Sequence, residues 1–387
     1  MRRFVPVLLL LAGCSNPEPQ PANDPIPQNK PEPKPEPKPE PEPTPKVETR
    51  GKLEAADAPE QTRAVGLIEQ VTGRKFKTRV PVYVFSQEEL EAEVKSWGDY
   101  APENILGFYK YDTKAMYLVP EAAGNKRAFG LRLHEGTHAL QDQLYDLAKL
   151  HKAVTTQDED NTVTALIEGQ AVQVMIDALP DNPHVKRITE VKQPTDLSDD
   201  GAWLRVLYYA YGAVFVQNLK ERDGYEAVDA AFKALPKSTE QILHPEKYPA
   251  ELPDRVSLPA ELPWPAGFKS EASTTTGEFS VLVAMHRAGV TDPAGAAAGW
   301  GGDVEVTARK GASWITLRVT TWDTREDAQE YYDAMQGAPS LRVSRWNSAD
   351  GEDGRRVSLV LADADVDAAA LEALTEALAR ATVEYHK

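Results

Sequence analysis

Apolar residues recur along the chain at two spacings, and the switches between them mark off its elements. Between 58 and 73 they fall at Val65, Leu67, Ile68 and Val71, a helical spacing stopped by Gly73. Residues 79–85 (RVPVYVF) predict a strand, and Ser86-Gln87-Glu88-Glu89 opens a helix toward Trp97 with a capping box. Two short extended runs, 105–111 and 115–119, turn back on each other at Asp112-Thr113-Lys114 and predict a hairpin. No proline interrupts 126–150, where Leu131, Leu133, Ala139, Leu140, Leu144 and Leu147 make the apolar side of a helix and Arg132, Gln141, Asp142 and Gln143 supply polar positions. Further helices are predicted over 161–178, over the aromatic-rich 201–219 and over 225–235. The stretch 238–248, polar and punctuated by proline, reads as a loop.

Past Pro263 the pattern changes. Residues 273–287 show no clear period, and the small residues of 294–303 read as a turn at a boundary. Strands are predicted at 304–308 and 313–321, a helix at 324–335, strands at 342–347 and 355–361, and a helix at 366–383. Strand pair, helix, strand pair, helix makes a small α+β unit with helices on a sheet face, assigned to 266–387. The elements before it are assigned to a domain over 51–265, and the fold class expected for the whole is α+β.

Ahead of these lies a segment that builds no core. Residues 1–13 join a basic start, Met1-Arg2-Arg3, to an apolar run that ends in Leu11-Ala12-Gly13 directly before Cys14. That run is too short to span a bilayer. It resembles a bacterial lipoprotein signal peptide, which implies cleavage before Cys14, a lipid on the Cys14 thiol and a membrane-anchored place in the cell envelope, on the outer membrane or the outer face of the cytoplasmic membrane. From 14 to 50 the chain is rich in Pro, Glu and Lys (PEPKPEPKPEPEPTPK) and reads as an extended spacer. Because Cys14 is the sole cysteine, disulfides, thiolate metal sites and a cysteine nucleophile are excluded from the folded part. A net charge of −17, with Lys and Arg dispersed, argues against a nucleic-acid partner.

The chemistry concentrates at His134-Glu135-Gly136-Thr137-His138 inside the predicted helix over 126–150. At about 100° per residue, positions four apart lie about 40° apart around the axis, so two imidazoles can reach one ion from one face. Glu135 then sits beside that ion, where it can take a proton from water whose pKa the ion has lowered. Such a site needs a third ligand. Glu168 stands in the middle of a run that otherwise wants burial, and buried carboxylates are rare unless paired or metal-bound, so it is the natural choice, 30 residues after His138. His151, 13 residues after His138, is the weaker alternative. Asp142, four residues beyond His138, is placed to accept the far ring N–H of a metal-bound imidazole, with Gln141 and Gln143 as other candidates. Glu159 and Asp160 read as compensation of the helix dipole.

The HExxH pattern resembles that of zinc metallopeptidases, and helix, strand, helix, hairpin, HExxH helix over about 58–170 is similar to the amino-terminal subdomain of zincins. The residues after His138 exclude the metzincin pattern. With Ala165-Leu166-Ile167-Glu168-Gly169-Gln170-Ala171 on the following helix, the chain looks like a gluzincin. The resemblance implies a zincin-like domain, Zn2+ held by His134, His138 and Glu168, Glu135 as general base, and polypeptide as substrate. It also implies an edge strand that pairs with the substrate, for which 115–119 is the candidate, and a His or Tyr that stabilises the oxyanion. For that last role His244 comes first, with Tyr211 and Tyr208 next. His286 and His386 stand isolated. The rival functions are an inactive zincin-fold lipoprotein with a binding or adhesion role and a zinc hydrolase of cell-wall cross-links.

Overall fold

The computed structural model describes residues 51–86, 106–118, 126–182, 193–336, 343–347, 354–362 and 366–386, with a few single positions between them. The signal peptide, Cys14 and the spacer lie outside the described residues, as does most of the helix expected after Ser86. Its capping box is formed: the Glu89 N–H donates to Ser86 Oγ (3.2 Å) and the Ser86 N–H to Glu89 Oε2 (2.7 Å). Among the described residues no helix is long and apolar enough to cross a membrane.

Helix α1 (Pro59–Thr72) ends at Gly73 with φ 69°, the left-handed stop that a glycine supplies. Strands β1 (Lys52–Leu53), β2 (Val82–Val84), β3 (Gly107–Lys110) and β4 (Ala115–Leu118) form one sheet in the order β1-β2-β4-β3. The hairpin is present, with Gly107 opposite Leu118 and Lys110 opposite Ala115. The edge assignment is corrected: β4 runs between β3 and a parallel β2, and the edges among the described residues are β1 and β3. All four residues of β4 are buried, the signature of an interior strand.

Two helices with almost no exposed face follow. Helix α2 (Lys126–Tyr145) stops where Asp146 takes φ 57°, a conformation aspartate tolerates, and the Asp146 side chain then caps α3 (Leu147–Ala153) by accepting from the Lys149 N–H. Helix α4 (Gln157–Ala178) starts at Thr156, whose Oγ1 accepts from the Glu159 N–H, and carries Asp158, Glu159 and Asp160 in its first turn. Polar positions of α2 are buried where a partner meets them. Arg132, 1% exposed, makes a two-pronged pair with Glu54 just past β1, at 2.6 and 2.8 Å.

Helix α5 (Asp200–Arg205) runs through a π-helical segment (Val206–Tyr211) into α6 (Gly212–Lys233), whose backbone leaves helical geometry at Asp223 and Gly224, so the two helices expected on either side of Gly224 are present and meet there at a kink. The stretch read as a loop contains a short helix, α7 (Thr239–Leu243), and one 3-10 turn (Pro245–Lys247). Beyond it come β5 (Arg255–Ser257), β6 (Lys269–Ser270), α8 (Gly277–Ala288), α9 (Pro293–Ala297), β7 (Trp300–Lys310), β8 (Ser313–Trp322), α10 (Arg325–Gln336), β9 (Val343–Asn347), β10 (Arg356–Ala362), α11 (Ala368–Leu378) and β11 (Thr382–Glu384). The small residues at 294–303 are therefore not a turn, since α9 and the start of β7 occupy them. A five-stranded sheet has the order β6-β7-β8-β10-β9, and β11 pairs separately with β5.

The result is a mixed fold with small sheets, as α+β requires. One core runs from Ile68 of α1 through α2, α4 and α6 to Trp300, Trp322, Tyr331 and Leu359. A second lies on the other face of the five-stranded sheet, where Val306, Leu317, Val360 and Leu374 meet Val256 of β5. Strand β10 shows the period of two, with Val357 and Leu359 in the first core and Val360 and Ala362 in the second.

Candidate metal centre

Helix α2 sets His134 and His138 one turn apart, their ring centroids 4.6 Å from each other at an interplanar angle of 88°. From the middle of α4, Glu168 puts Oε2 at 2.9 Å from His134 Nε2 and 3.5 Å from His138 Nε2. One ligand atom from each of the three lies within 4.8 Å of the others. Glycines make the approach possible. A Cβ on Gly169, next to Glu168, would fall 2.2 Å from the backbone oxygen of Gly212, so α4 and α6 meet backbone against backbone beside the carboxylate.

Glu135, the next residue of α2 after His134, is bound from the sheet. The Tyr109 N–H of β3 donates to its Oε2 at 2.8 Å, while Oε1 has no partner. His134 Nδ1 and His138 Nε2 are also buried without hydrogen-bond partners. His134, Glu135 and His138 are 0% exposed and Glu168 1%. Burial pushes Glu135 up to about 8, with the Glu168 carboxylate adding to it against the His138 charge. Burial and the neighbouring His138 hold His134 below the ordinary imidazole value. For His138 burial works against the charged form, yet the Glu168 carboxylate outweighs it and brings the ring up to about 9. Burial likewise opposes the Glu168 charge, and the two imidazoles overcome it and hold its pKa down.

Several sequence candidates are placed elsewhere. Asp142 does not receive an imidazole N–H: its carboxylate accepts from Tyr109 Oη (2.8 Å), Lys114 Nζ (2.6 Å) and the Leu147 N–H (3.2 Å), which ties the β3–β4 hairpin to the end of α2. His138 Nδ1 meets Gln141 Oε1 instead, at 2.9 Å. Gln143 accepts from the Lys77 and Thr78 N–H groups. His151 pairs with Asp160 at 2.9 Å, away from the centre. His244 caps α7 and its Nε2 meets Glu278 Oε1 at 2.9 Å, and that carboxylate raises its pKa. Tyr208 Oη donates to Asn161, and the Tyr211 ring stands edge-on to Phe279. The tyrosine beside the pair is Tyr209, its ring centroid 6.0 Å from that of His134. The π-helical segment sets which of the three tyrosines faces inward, and no apolar spacing announces such a segment. The His286 ring lies tilted against Trp203, centroids 4.9 Å apart, and the His386 N–H donates to Asp254. A second carboxylate group, Glu240, Glu251 and Asp323, already shares a cation, the Lys247 Nζ, at 2.6, 2.8 and 2.8 Å.

A family model described as a domain of unknown function, DUF8575, matches residues 266–381, the stretch that carries the five-stranded sheet. No curated protein and no solved structure matches the chain.

Proposed function

We propose that the protein is a zinc-dependent metallopeptidase of the gluzincin type that hydrolyses polypeptide, exported and held at the cell envelope by a lipid on Cys14. The observation that carries the reading is the convergence of His134, His138 and Glu168 from two buried helices, each with a ligand atom within 4.8 Å of the others. Two imidazoles and a carboxylate are a zinc donor set that keeps a position open for a reactant. Buried polar atoms ordinarily find partners, so His138 Nε2, orphaned beside the Glu168 carboxylate, and the free Glu135 Oε1 fit a centre that closes around a cation and its water. The order of small sheet, HExxH helix and glutamate helix supports a zincin-like domain.

When bound, zinc supplies a Lewis acid that polarises the scissile carbonyl and lowers the pKa of water. The proton work belongs to Glu135. With Oε2 held on the Tyr109 N–H, Oε1 takes the proton of the water that adds to the carbonyl carbon and hands it to the departing amine nitrogen. Complete burial of the centre favours one rival, a zincin-fold lipoprotein that binds without turnover.

Metal content and digestion of denatured protein, with purified peptidoglycan alongside, test the reading. The wild-type chain is expected to carry zinc and cut polypeptide; Glu168→Ala should lose the metal, and Glu135→Gln should keep it while kcat drops by about 10²–10⁴. A wild-type chain that takes up no zinc overturns the proposal, and a Glu135→Gln variant as active as wild type removes Glu135 from the chemistry.

A further inference from the structure

Gln141 lies on α2 one turn beyond His138 and is 1% exposed. Its Oε1 sits 2.9 Å from His138 Nδ1, and its Nε2 donates both to the Ile167 carbonyl oxygen at 2.9 Å and to Gln170 Oε1 at 2.8 Å. A backbone carbonyl only accepts, so the amide atom facing Ile167 must be the nitrogen. The oxygen is thereby turned to His138, where it accepts, and the His138 proton is fixed on Nδ1. In the neutral ring that a metal requires, the lone pair then falls on His138 Nε2, the nitrogen 3.5 Å from Glu168 Oε2.

Ile167 and Gln170 flank Glu168 on α4, so a single amide touches both halves of the donor set. Resting on the reading of His134, His138 and Glu168 as metal ligands, we propose that Gln141 is a positioning residue for the metal: it selects the His138 tautomer and, through Ile167 and Gln170, locks the helix bearing Glu168 to the helix bearing the histidines. An amide suits the place better than a carboxylate. Glu135 and Glu168 already match the charge of a divalent ion, and a third buried acid would leave the centre net negative and have no donor for the Ile167 oxygen.

Zinc affinity of the full chain, measured by competition with a chelator, tests this together with long-range imidazole 1H–15N spectra of the zinc-loaded protein. Gln141→Met is expected to weaken zinc by about 10- to 100-fold. In the wild type the His138 proton should appear on Nδ1 with Nε2 unprotonated, and Gln141→Met should shift the Nδ1–H resonance because the amide oxygen that accepts that proton is gone. A Gln141→Met chain that binds zinc as tightly as wild type, or a wild-type spectrum with the His138 proton on Nε2, overturns the role of Gln141 and leaves the metal reading intact. Absence of zinc binding by the wild-type chain overturns the metal reading and, with it, the role built on it.

Discussion

At Asp158 burial opposes charge, and the opposition sets a pH dependence of stability. Its Oδ1 accepts from the Thr239 N–H (3.0 Å) and Thr239 Oγ1 (2.6 Å), while Oδ2 is buried without a partner. Burial, reinforced by Asp303 and Glu278, raises the pKa from 3.8 to about 7 against the pull of the Thr239 hydrogen bonds. The folded chain therefore holds this proton more tightly than the unfolded one, so the contribution is full below the unfolded pKa and is lost as pH rises through the folded value. Asn is the isostere of the protonated acid. Between pH 5 and 7.5 the wild type is expected to lose about 2 kcal/mol more stability than Asp158→Asn, measured by urea unfolding at each pH; equal losses would show that Asp158 is charged throughout. Arg132 illustrates the opposite case, a buried charge that is matched. Arg132→Met strands the Glu54 carboxylate and is expected to lower unfolding free energy by about 3 kcal/mol. At this scale much of the centre was legible: the spacing of His134, Glu135 and His138 and the lone acid at 168 are features of the string itself. The partner of His138 was not. Counting four residues along a helix puts Asp142 on the right face, but its direction is decided by Tyr109 and Lys114, which reach it from a hairpin that sequence spacing cannot orient.

Elements differ in how far the chain announces them. The period of α1 followed from residue spacing because one of its faces meets a core and the other does not, whereas the hairpin and β10, buried on both faces, are marked by short apolar runs between turn residues. Helices α2 and α4 are buried nearly all round, so spacing locates them without saying which side faces what. The edge of the first sheet went wrong for a related reason: pairing order depends on β2 arriving parallel beside β4, a long-range choice. Backbone contact between α4 and α6 is equally silent in the sequence, since a glycine in a helix can mark close approach or nothing. Two alanine substitutions separate these cases. Gly169→Ala places a methyl 2.2 Å from the Gly212 oxygen and should destabilise by about 3 kcal/mol, with zinc affinity falling because Glu168 moves with the helix. Gly66→Ala in α1 meets nothing within 4 Å and should stabilise by about 0.5–1 kcal/mol. Thermal unfolding with and without zinc reads both, and a tolerated Gly169→Ala would mean that the helices can part without loss.

Over the whole molecule, the change of pattern past Pro263 set a domain over 51–265 apart from a unit over 266–387, and the packing bears on whether the first piece can stand alone. Trp300, Trp322, Tyr331, Met335 and Leu359, all past residue 265, belong to the same core as Ile68, Leu133 and Leu166. The start of the Glu168 helix leans on that region too: the Asp158 N–H donates to the Thr275 oxygen and the Gln157 N–H to Thr274 Oγ1, and a Cβ at Gly277 would collide with Asp158. In the other direction, Val256, Leu262 and Trp264 pack with the second core, and β5 holds β11 at the far end of the chain. Cutting at 265 would thus strip apolar cover from α8-facing side chains, remove two acceptors from the first turn of α4 and leave β5 without its sheet. A chain of residues 51–265 is expected to unfold without a cooperative transition and to bind zinc far more weakly than residues 51–387, as judged by urea titration and chelator competition on the two. Cooperative unfolding and undiminished zinc binding by the shorter piece would show that the metal centre is independent of the region past residue 265. The expected failure instead makes the 266–381 region part of what holds α4, and Glu168 with it, against α2.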